Sequence, residues 1–158
     1  MNDSMPPHVL DRQLVDALYV DAMVLADEAR SYFDDRAEEH RQALGHIGWV
    51  DFSCESIKVT TRLMHVIAWL LTQRAIFNGE MRESVREEER YRLGPAALTP
   101  LDVSCQFNEE MRALIASSEE LYARVARLER QFLARRSRLS AMPINPAHVL
   151  LTRLERAF

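Results

Sequence analysis

Histidine, cysteine and carboxylate side chains could supply acid–base or metal chemistry to this chain, but their spacing favours neither. The histidines occur one per segment of the sequence, at His8, His40, His46, His65 and His148. A metal site in a helical bundle would need Glu-x-x-His pairs on facing helices, and the sequence contains none. Cys54 and Cys105 have no neighbouring cysteine or histidine pair, as is typical of unpaired thiols in a reducing compartment.

Runs of carboxylates are the other candidate for acid–base chemistry. They occur at Glu87-Glu88-Glu89 and Glu109-Glu110. Adjacent carboxylates on a helix point in different directions, which is typical of a solvated face. Phosphate-binding glycine loops and serine nucleophile motifs are absent from the sequence. We therefore expect a protein that has no enzymatic activity, no cofactor and no metal.

Arginines at three- and four-residue spacing give the last part of the chain a basic character. They are Arg124, Arg127, Arg130, Arg135, Arg136 and Arg138. Residues 123–158 hold 8 basic and 2 acidic side chains, whereas residues 1–122 hold 12 and 22. This asymmetry would suit nucleic-acid phosphates or an acidic protein surface. A solvated face with occasional ion pairs is the alternative.

Apolar periodicity predicts the elements that position these groups. Spacing of three and four predicts a first helix over residues 7–44. A turn follows, and a second helix is expected from Asp51 or Ser53 to the stop signal Asn78-Gly79. Residues 80–92 suit a short solvated helix or a bent continuation of the second helix.

The third helix has the most complete start signal. Thr99 is the expected cap, Pro100 occupies the first helical position and Asp102 the third. One long helix is then predicted to about Arg138, with a buried seam along it: Phe107, Met111, Leu114, Ser118, Leu121, Val125, Leu128 and Phe132.

These elements predict an all-α protein. The expected architecture is an elongated, antiparallel, up-down-up three-helix bundle over residues 1–138, followed by a short C-terminal tail, 139–158, that is either docked or mobile. Neither a secretory signal nor a membrane-length apolar run is present, so we expect a cytoplasmic protein with no membrane association.

The second helix is apolar on more than one side, which predicts that it touches protein on more than one face. A helical wheel groups most of its large apolar residues in one core arc: Ile57, Leu63, Met64, Ile67, Ala68, Leu70, Leu71 and Ala75. Trp69 lies outside that arc, on the side of Arg62, Gln73 and Glu80. A tryptophan among polar groups is typical of an interface anchor.

We therefore predict that Arg62, Trp69, Gln73 and Glu80 form a contact face, with Arg135 and Arg136 contributing from the basic region. The alternative is that the helix is simply central in its bundle and buried all round. Arg74 falls near the core arc and is expected either to extend its charged end to solvent or to pair with a carboxylate of a neighbouring helix.

The amino-acid sequence of the second helix resembles that of a known family. Thr60-Thr61-Arg62-Leu63-Met64, Ala68-Trp69-Leu70-Leu71, Gln73-Arg74-Ala75 and Gly79-Glu80-Met81 are similar to the signature of the regulator of CtrA degradation (RcdA) family of alphaproteobacteria. Chain length, the three-helix pattern and Asn145-Pro146 extend the resemblance more thinly over the rest of the chain.

This resemblance implies a homodimeric, non-enzymatic adaptor in cell-cycle proteolysis. Such an adaptor would help deliver transcription regulators to the ClpXP protease, together with a response-regulator-like priming factor and a cyclic-di-GMP-binding effector. The resemblance ties a mobile C-terminal tail to that activity, whereas this chain ends in a compact apolar segment. A nucleic-acid-binding regulator that uses the basic C-terminal third is the competing hypothesis, although nucleic acid is the less favoured partner.

Overall fold

A computed structural model describes residues 7–141, and all regular structure in that range is helical. The long helices are α1 (Pro7–Ser31), α3 (Gly45–Phe77) and α5 (Glu109–Ala141). Two short helices, α2 (Ala37–Ala43) and α4 (Leu101–Ser104), precede α3 and α5. The predicted tail lies outside the described residues from position 142 onward.

The first helix runs as predicted, with one irregularity. A π-helical turn, Tyr32–Arg36, joins α1 to α2. Buried residues follow three- and four-residue steps up to the turn and a five-residue step across it: Val15, Leu18, Ala22, Leu25, Ala29, Tyr32 and Ala37. The wider π turn absorbs the extra residue and returns Ala37 to the core side.

The connection between α2 and α3 is much tighter than predicted. Helix α3 begins at Gly45 rather than near Asp51, so Leu44 is the only residue between α2 and α3. Gly45 makes this turn possible with φ +67°, a left-handed conformation that costs glycine little. The predicted stop is confirmed: Gly79 has φ +77°, and its N–H bonds to the Ile76 carbonyl at 3.0 Å.

The seam predicted for the third helix is confirmed, because every one of its residues is buried. Its predicted start is wrong. Thr99 caps no helix, since its hydroxyl donates to Glu55 and accepts from Arg62, and α4 ends after one turn. Asn108 is the actual cap of α5, where its side-chain oxygen accepts the Met111 N–H at 2.9 Å.

The long helices run up, down and down, so the predicted up-down-up arrangement is wrong. α1 is antiparallel to α3, since Asp16 pairs with Arg74 and Arg12 with Asn78. It is antiparallel to α5 too. In contrast, α3 and α5 are parallel.

Ring contacts show the parallel pairing of α3 and α5. At one end the Phe52 ring lies 6.0 Å from that of Phe107, and at the other end Phe77 lies 6.3 Å from Phe132. Two parallel helices cannot be joined by a tight turn. The chain must travel back along the bundle before α5 can start.

Residues 78–108, the crossover segment, make this return along α3 and α5. Tyr122 of α5 donates to the Gly94 carbonyl at 2.7 Å, and the Pro95 carbonyl accepts from His65 of α3 at 2.9 Å. Earlier in the segment, the Leu93 N–H bonds to Glu129 at 2.8 Å. The predicted solvated helix is instead a pair of 3-10 turns, Glu83–Glu87 and Glu89–Tyr91.

Candidate protein-interaction surface

An apolar stripe follows the outward side of α3. It contains Val50, Ile57, Met64 and Leu71, spaced seven residues apart and exposed by 53%, 66%, 62% and 46%. A seven-residue apolar repeat is the pattern by which one helix packs along another. We call these four residues, together with the smaller residue four positions after each, the stripe. The smaller residues are Cys54, Thr61, Ala68 and Ala75.

The stripe lies opposite the core side of α3. At 100° per residue, the midpoint of the buried residues is about half a turn away from the midpoint of the stripe. Side chains on these two faces therefore point in opposite directions, one into the bundle and one away from it. No residue of the stripe is charged.

A groove between α1 and α3 borders the stripe. Its volume is about 480 Å³, and Met64 and Leu71 form part of its wall. The rest is mainly apolar, with Phe33 contributed by the π turn. Arg30 and Asp34 are its charged residues, and they pair with each other at 3.8 Å. The groove thus extends an apolar surface across two helices.

Arg62 does not lie on the exposed contact face that the sequence predicts, because it is buried. Its side chain is 1% exposed, and the guanidinium donates to the Ala97 carbonyl, to Thr99 Oγ1 at 3.0 Å and to Glu119 at 3.1 Å. Ser118 Oγ accepts a further bond at 3.3 Å. Burial lowers the pKa of Arg62, and Glu119 and Glu55 oppose that shift.

Trp69 and Gln73 are also buried by other parts of the chain, with 4% and 1% of their surface exposed. The Trp69 ring stacks on Phe132 of α5 at 6.0 Å, and Gln73 Oε1 accepts from Arg86 of the crossover segment at 2.7 Å. The face predicted to contact a partner is therefore filled from within the chain. Conversely, Ile57, Met64 and Leu71, which were expected in the core, are exposed.

The other sequence-predicted contact residues lie elsewhere. Glu80 is exposed just beyond the end of α3, where it accepts from Asn78 at 3.3 Å. Arg135 pairs with Asp11 of α1, and Arg136 with Glu87 of the crossover segment. Glu80 is thus separate from Arg62 and Trp69.

Ion pairs with neighbouring elements also occupy part of the basic surface. Arg124 bonds to Asp21 of α1 at 3.4 Å, in addition to the pairs of Arg135 and Arg136. The prediction for Arg74 is confirmed: it pairs with Asp16 of α1 at 2.9 Å and lies 4.4 Å from the Tyr19 ring centroid. The pairs of Arg124, Arg135 and Arg136 partly neutralise the row of arginines that the sequence suggests as a nucleic-acid-binding surface.

Sequence reasoning missed the stripe although a signal was present. Large apolar residues recur every seven positions from Val50 to Leu71, a period that a search for one amphipathic face does not separate from the core pattern. It also missed Arg86, because nothing local distinguishes this arginine from its charged neighbours. Its position against Gln73 becomes apparent only in the folded chain.

Two features of residues 7–141 bear on other functions. Across residues 7–141, none of the helices combines the length and apolarity needed to cross a bilayer. Over those residues, the His, Cys, Asp and Glu side chains form no group of three or more that could hold a metal ion.

Comparison with known proteins identifies the family of the chain. The sequence model of a family described as "Protein of unknown function (DUF1465)" matches residues 7–158. No curated protein sequence matches. The crystal structure of RcdA from Caulobacter crescentus CB15 is similar with 31% identity and a TM-score of 0.61, over 75% of this chain and 90% of that one. The chain therefore belongs to the RcdA family, the regulators of CtrA degradation.

Proposed function

We propose that this protein is a non-enzymatic adaptor in regulated proteolysis and cell-cycle control, and that it acts as a homodimer assembled through the stripe on α3. The observation that carries the proposal is the uncharged seven-residue repeat on the outward side of a helix whose other side is already packed. An apolar surface of this extent, bordered by a groove, is typical of a protein interface. Membership of the RcdA family supports the role in proteolysis.

A second copy of the chain fits the stripe because large and small residues alternate along it. When two such helices run antiparallel about a two-fold axis, each large residue of one copy faces a small residue of the other. With the axis between Arg62 and Leu63, Val50 faces Ala75, Ile57 faces Ala68, Met64 faces Thr61 and Leu71 faces Cys54. A single two-fold axis thus places every large residue of the stripe opposite a small one.

The adaptor would then present two copies of its remaining surface to the degradation machinery. Resemblance to the family supports ClpXP as the protease, a response-regulator-like protein as priming factor and a transcription regulator as cargo. Cytoplasmic location belongs to the same proposal, because all three partners act there.

Cysteine cross-linking tests the antiparallel dimer. In a Cys54→Ser, Cys105→Ser background, the double variant Ile57→Cys, Ala68→Cys should form a covalent dimer under mild oxidation, because these residues face each other across the axis. Ile57→Cys alone should remain monomeric on a non-reducing gel, since its two copies would be offset by roughly 16 Å along the helices. Efficient cross-linking of Ile57→Cys alone would indicate parallel pairing and contradict the proposed axis.

Protein turnover tests the adaptor role separately. In the native cell, removal of the chain should lengthen the half-life of at least one transcription regulator, as measured by pulse-chase, and the wild-type chain should restore it. Met64→Glu should fail to restore turnover if the dimer is the active form. Unchanged half-lives across the transcription regulators would contradict the adaptor role while leaving the dimer intact.

A further inference from the structure

A second cavity, of about 370 Å³, lies at one end of the bundle, where the start of α1 and the ends of α3 and α5 meet the crossover segment. Its apolar wall consists of Phe77, Phe132 and Leu139. Leu139 is 71% exposed, so this wall is open at its outer edge. The cavity is therefore a site that a ligand can enter from solvent.

Arg86 lies in this cavity with part of its guanidinium unpaired. Its Nε donates to Gln73 at 2.7 Å, and Nη1 donates to Glu83 at 3.0 Å. Nη2 is buried and has no hydrogen-bond partner among residues 7–141. A buried donor without a partner is costly, and more so when it carries charge.

The environment of Arg86 leaves its charge incompletely compensated. The guanidinium carbon lies 4.7 Å from the Phe132 ring centroid and 5.2 Å from that of Phe77. Glu83, its carboxylate partner, is 58% exposed, so water screens that pair. Burial accordingly lowers the pKa of Arg86, and Glu83 only partly opposes this effect.

Cations outnumber carboxylates around the cavity. Arg135, Arg136 and Arg138 join Arg86 in its wall, against Asp11 and Glu83. Asp11 is already paired with Arg135. Arg138 makes no ion pair within the described part of the chain. An incoming anion would therefore meet an excess of positive charge.

We propose that this cavity binds a carboxylate side chain of an acidic peptide segment from a partner protein, with a neighbouring apolar residue against Phe132 and Leu139. Charge-assisted hydrogen bonds from arginine to a carboxylate are strong; Nη2 of Arg86 is the donor without a partner, and Arg138 adds positive charge to the same wall. A nucleic-acid backbone fits less well. It would need a continuous row of unpaired cations, whereas the Arg135 and Arg136 side chains already have acidic partners.

Fluorescence polarisation with the full chain tests this site. The probe is a fluorescein-labelled peptide in which two glutamates flank a leucine and a phenylalanine, and its control carries glutamine in place of each glutamate. Arg138→Glu, at the rim, should weaken binding of the acidic probe at least about tenfold. Arg130→Glu is the matched control, because Arg130 is exposed on the same helix and lines a different cavity.

The remaining outcomes also decide the proposal. Arg86→Gln should lose binding as well, and if that variant fails to fold, the Arg138→Glu and Arg130→Glu comparison alone decides. Equal loss in these two variants, equal binding of the glutamine peptide, or no binding up to ~1 mM would overturn the proposal. Displacement of the probe by single-stranded DNA, or binding only after residues 142–158 are removed, would assign the cavity to another ligand and would overturn it too.

Discussion

Arg62 holds three parts of the chain together from one side chain. Its guanidinium extends from α3 to the Ala97 carbonyl in the crossover segment and to Ser118 and Glu119 in α5. A buried arginine is retained at low cost only when its donors are bonded, and here the crossover segment supplies the acceptors. This residue therefore links the return path of the chain to the helix pair that it spans.

Removal of the Arg62 charge should destabilise the protein strongly. In Arg62→Met the apolar stem remains, but Glu119 and the Ala97 carbonyl lose their donor, which we expect to lower the free energy of unfolding by about 3–5 kcal/mol. Urea denaturation measures this change. Arg112→Met, at an exposed position of α5, is the control and should stay within about 0.5 kcal/mol of wild type. A similarly small change in Arg62→Met would contradict the structural role.

His40 makes stability depend on pH at the other end of the bundle. Its Nε2 accepts the Asn108 N–H at 3.2 Å, which requires the neutral imidazole, and its ring packs against Phe52 and Phe107. Burial lowers the pKa of His40 in the folded chain. The neutral form is thus the folded form, and protonation would remove an acceptor beside the cap of α5.

The sign of the pH effect follows from the lowered pKa. Stability from neutral His40 is fully present above the unfolded pKa of about 6.5, and it declines as the pH falls through the lower folded pKa. In His40→Gln the side-chain oxygen can accept the same N–H without titrating, so the urea midpoint should fall less between pH ~7.5 and ~5 than in wild type. His46→Gln, at an exposed position, should keep the wild-type slope. Identical slopes in all three proteins would refute the role of His40.

At the scale of elements, α3 shows what a helical wheel can and cannot decide. Its helical type and its C-terminal end follow from local signals, because Gly79 terminates it as expected, whereas its start at Gly45 precedes the predicted cap. The assignment of its faces does not, because apolar residues occupy nearly every direction around it. Arg62 and Gln73 are polar yet buried, because the crossover segment supplies an acceptor to Arg62 and a donor to Gln73.

The crossover segment explains the other sequence-based error. Residues 78–108 contain charged turns and a Gly-Pro break, which suit a short solvated connection equally well. Only the contacts of Gly94 and Leu93 with α5 reveal that the segment returns along the bundle. Parallel pairing of α3 and α5 is thus a tertiary property, whereas the buried seam from Met111 to Phe132 is a local one and was predictable.

Gly94 is the tightest point of the crossover segment. A Cβ at this position would lie 2.6–2.7 Å from atoms of the His65 ring, which bonds to the Pro95 carbonyl. Gly94→Ala must therefore displace the ring, and we expect a loss of about 1–3 kcal/mol in the free energy of unfolding. His65→Ala should relieve that clash, so the double variant should be more stable than the two single losses predict. Additive losses would show that the destabilisation in Gly94→Ala does not arise from contact with the His65 ring.

At the scale of the whole molecule, the chain has two separate surfaces. The stripe on α3 is uncharged and repetitive, whereas the cavity around Arg86 combines arginines with aromatic rings. The first suits a copy of the same chain and the second an acidic partner. A dimer would carry two such cavities, so one assembly could bind two acidic segments at once.

Self-association should appear in thermal unfolding. If the native state is a dimer, its Tm rises with protein concentration by mass action. We expect this rise for the wild-type chain and not for Met64→Glu, which places a charge at the centre of the stripe. Differential scanning calorimetry over a hundredfold concentration range measures it. Val9→Glu, an exposed apolar position near the start of α1, is the matched control and should retain the concentration dependence.

The parallel pairing of α3 and α5 also sets an order of folding. α1 and α2 meet α3 through the single residue Leu44, so this antiparallel hairpin forms from contacts that begin close in sequence. α5 can join in register only after a long loop has closed, and closure of long loops is entropically unfavourable and slow. We therefore expect the hairpin to form the folding nucleus. Substitutions that truncate Leu63 in the hairpin core should slow folding, whereas loss of the Tyr122 bond to Gly94 should mainly speed unfolding.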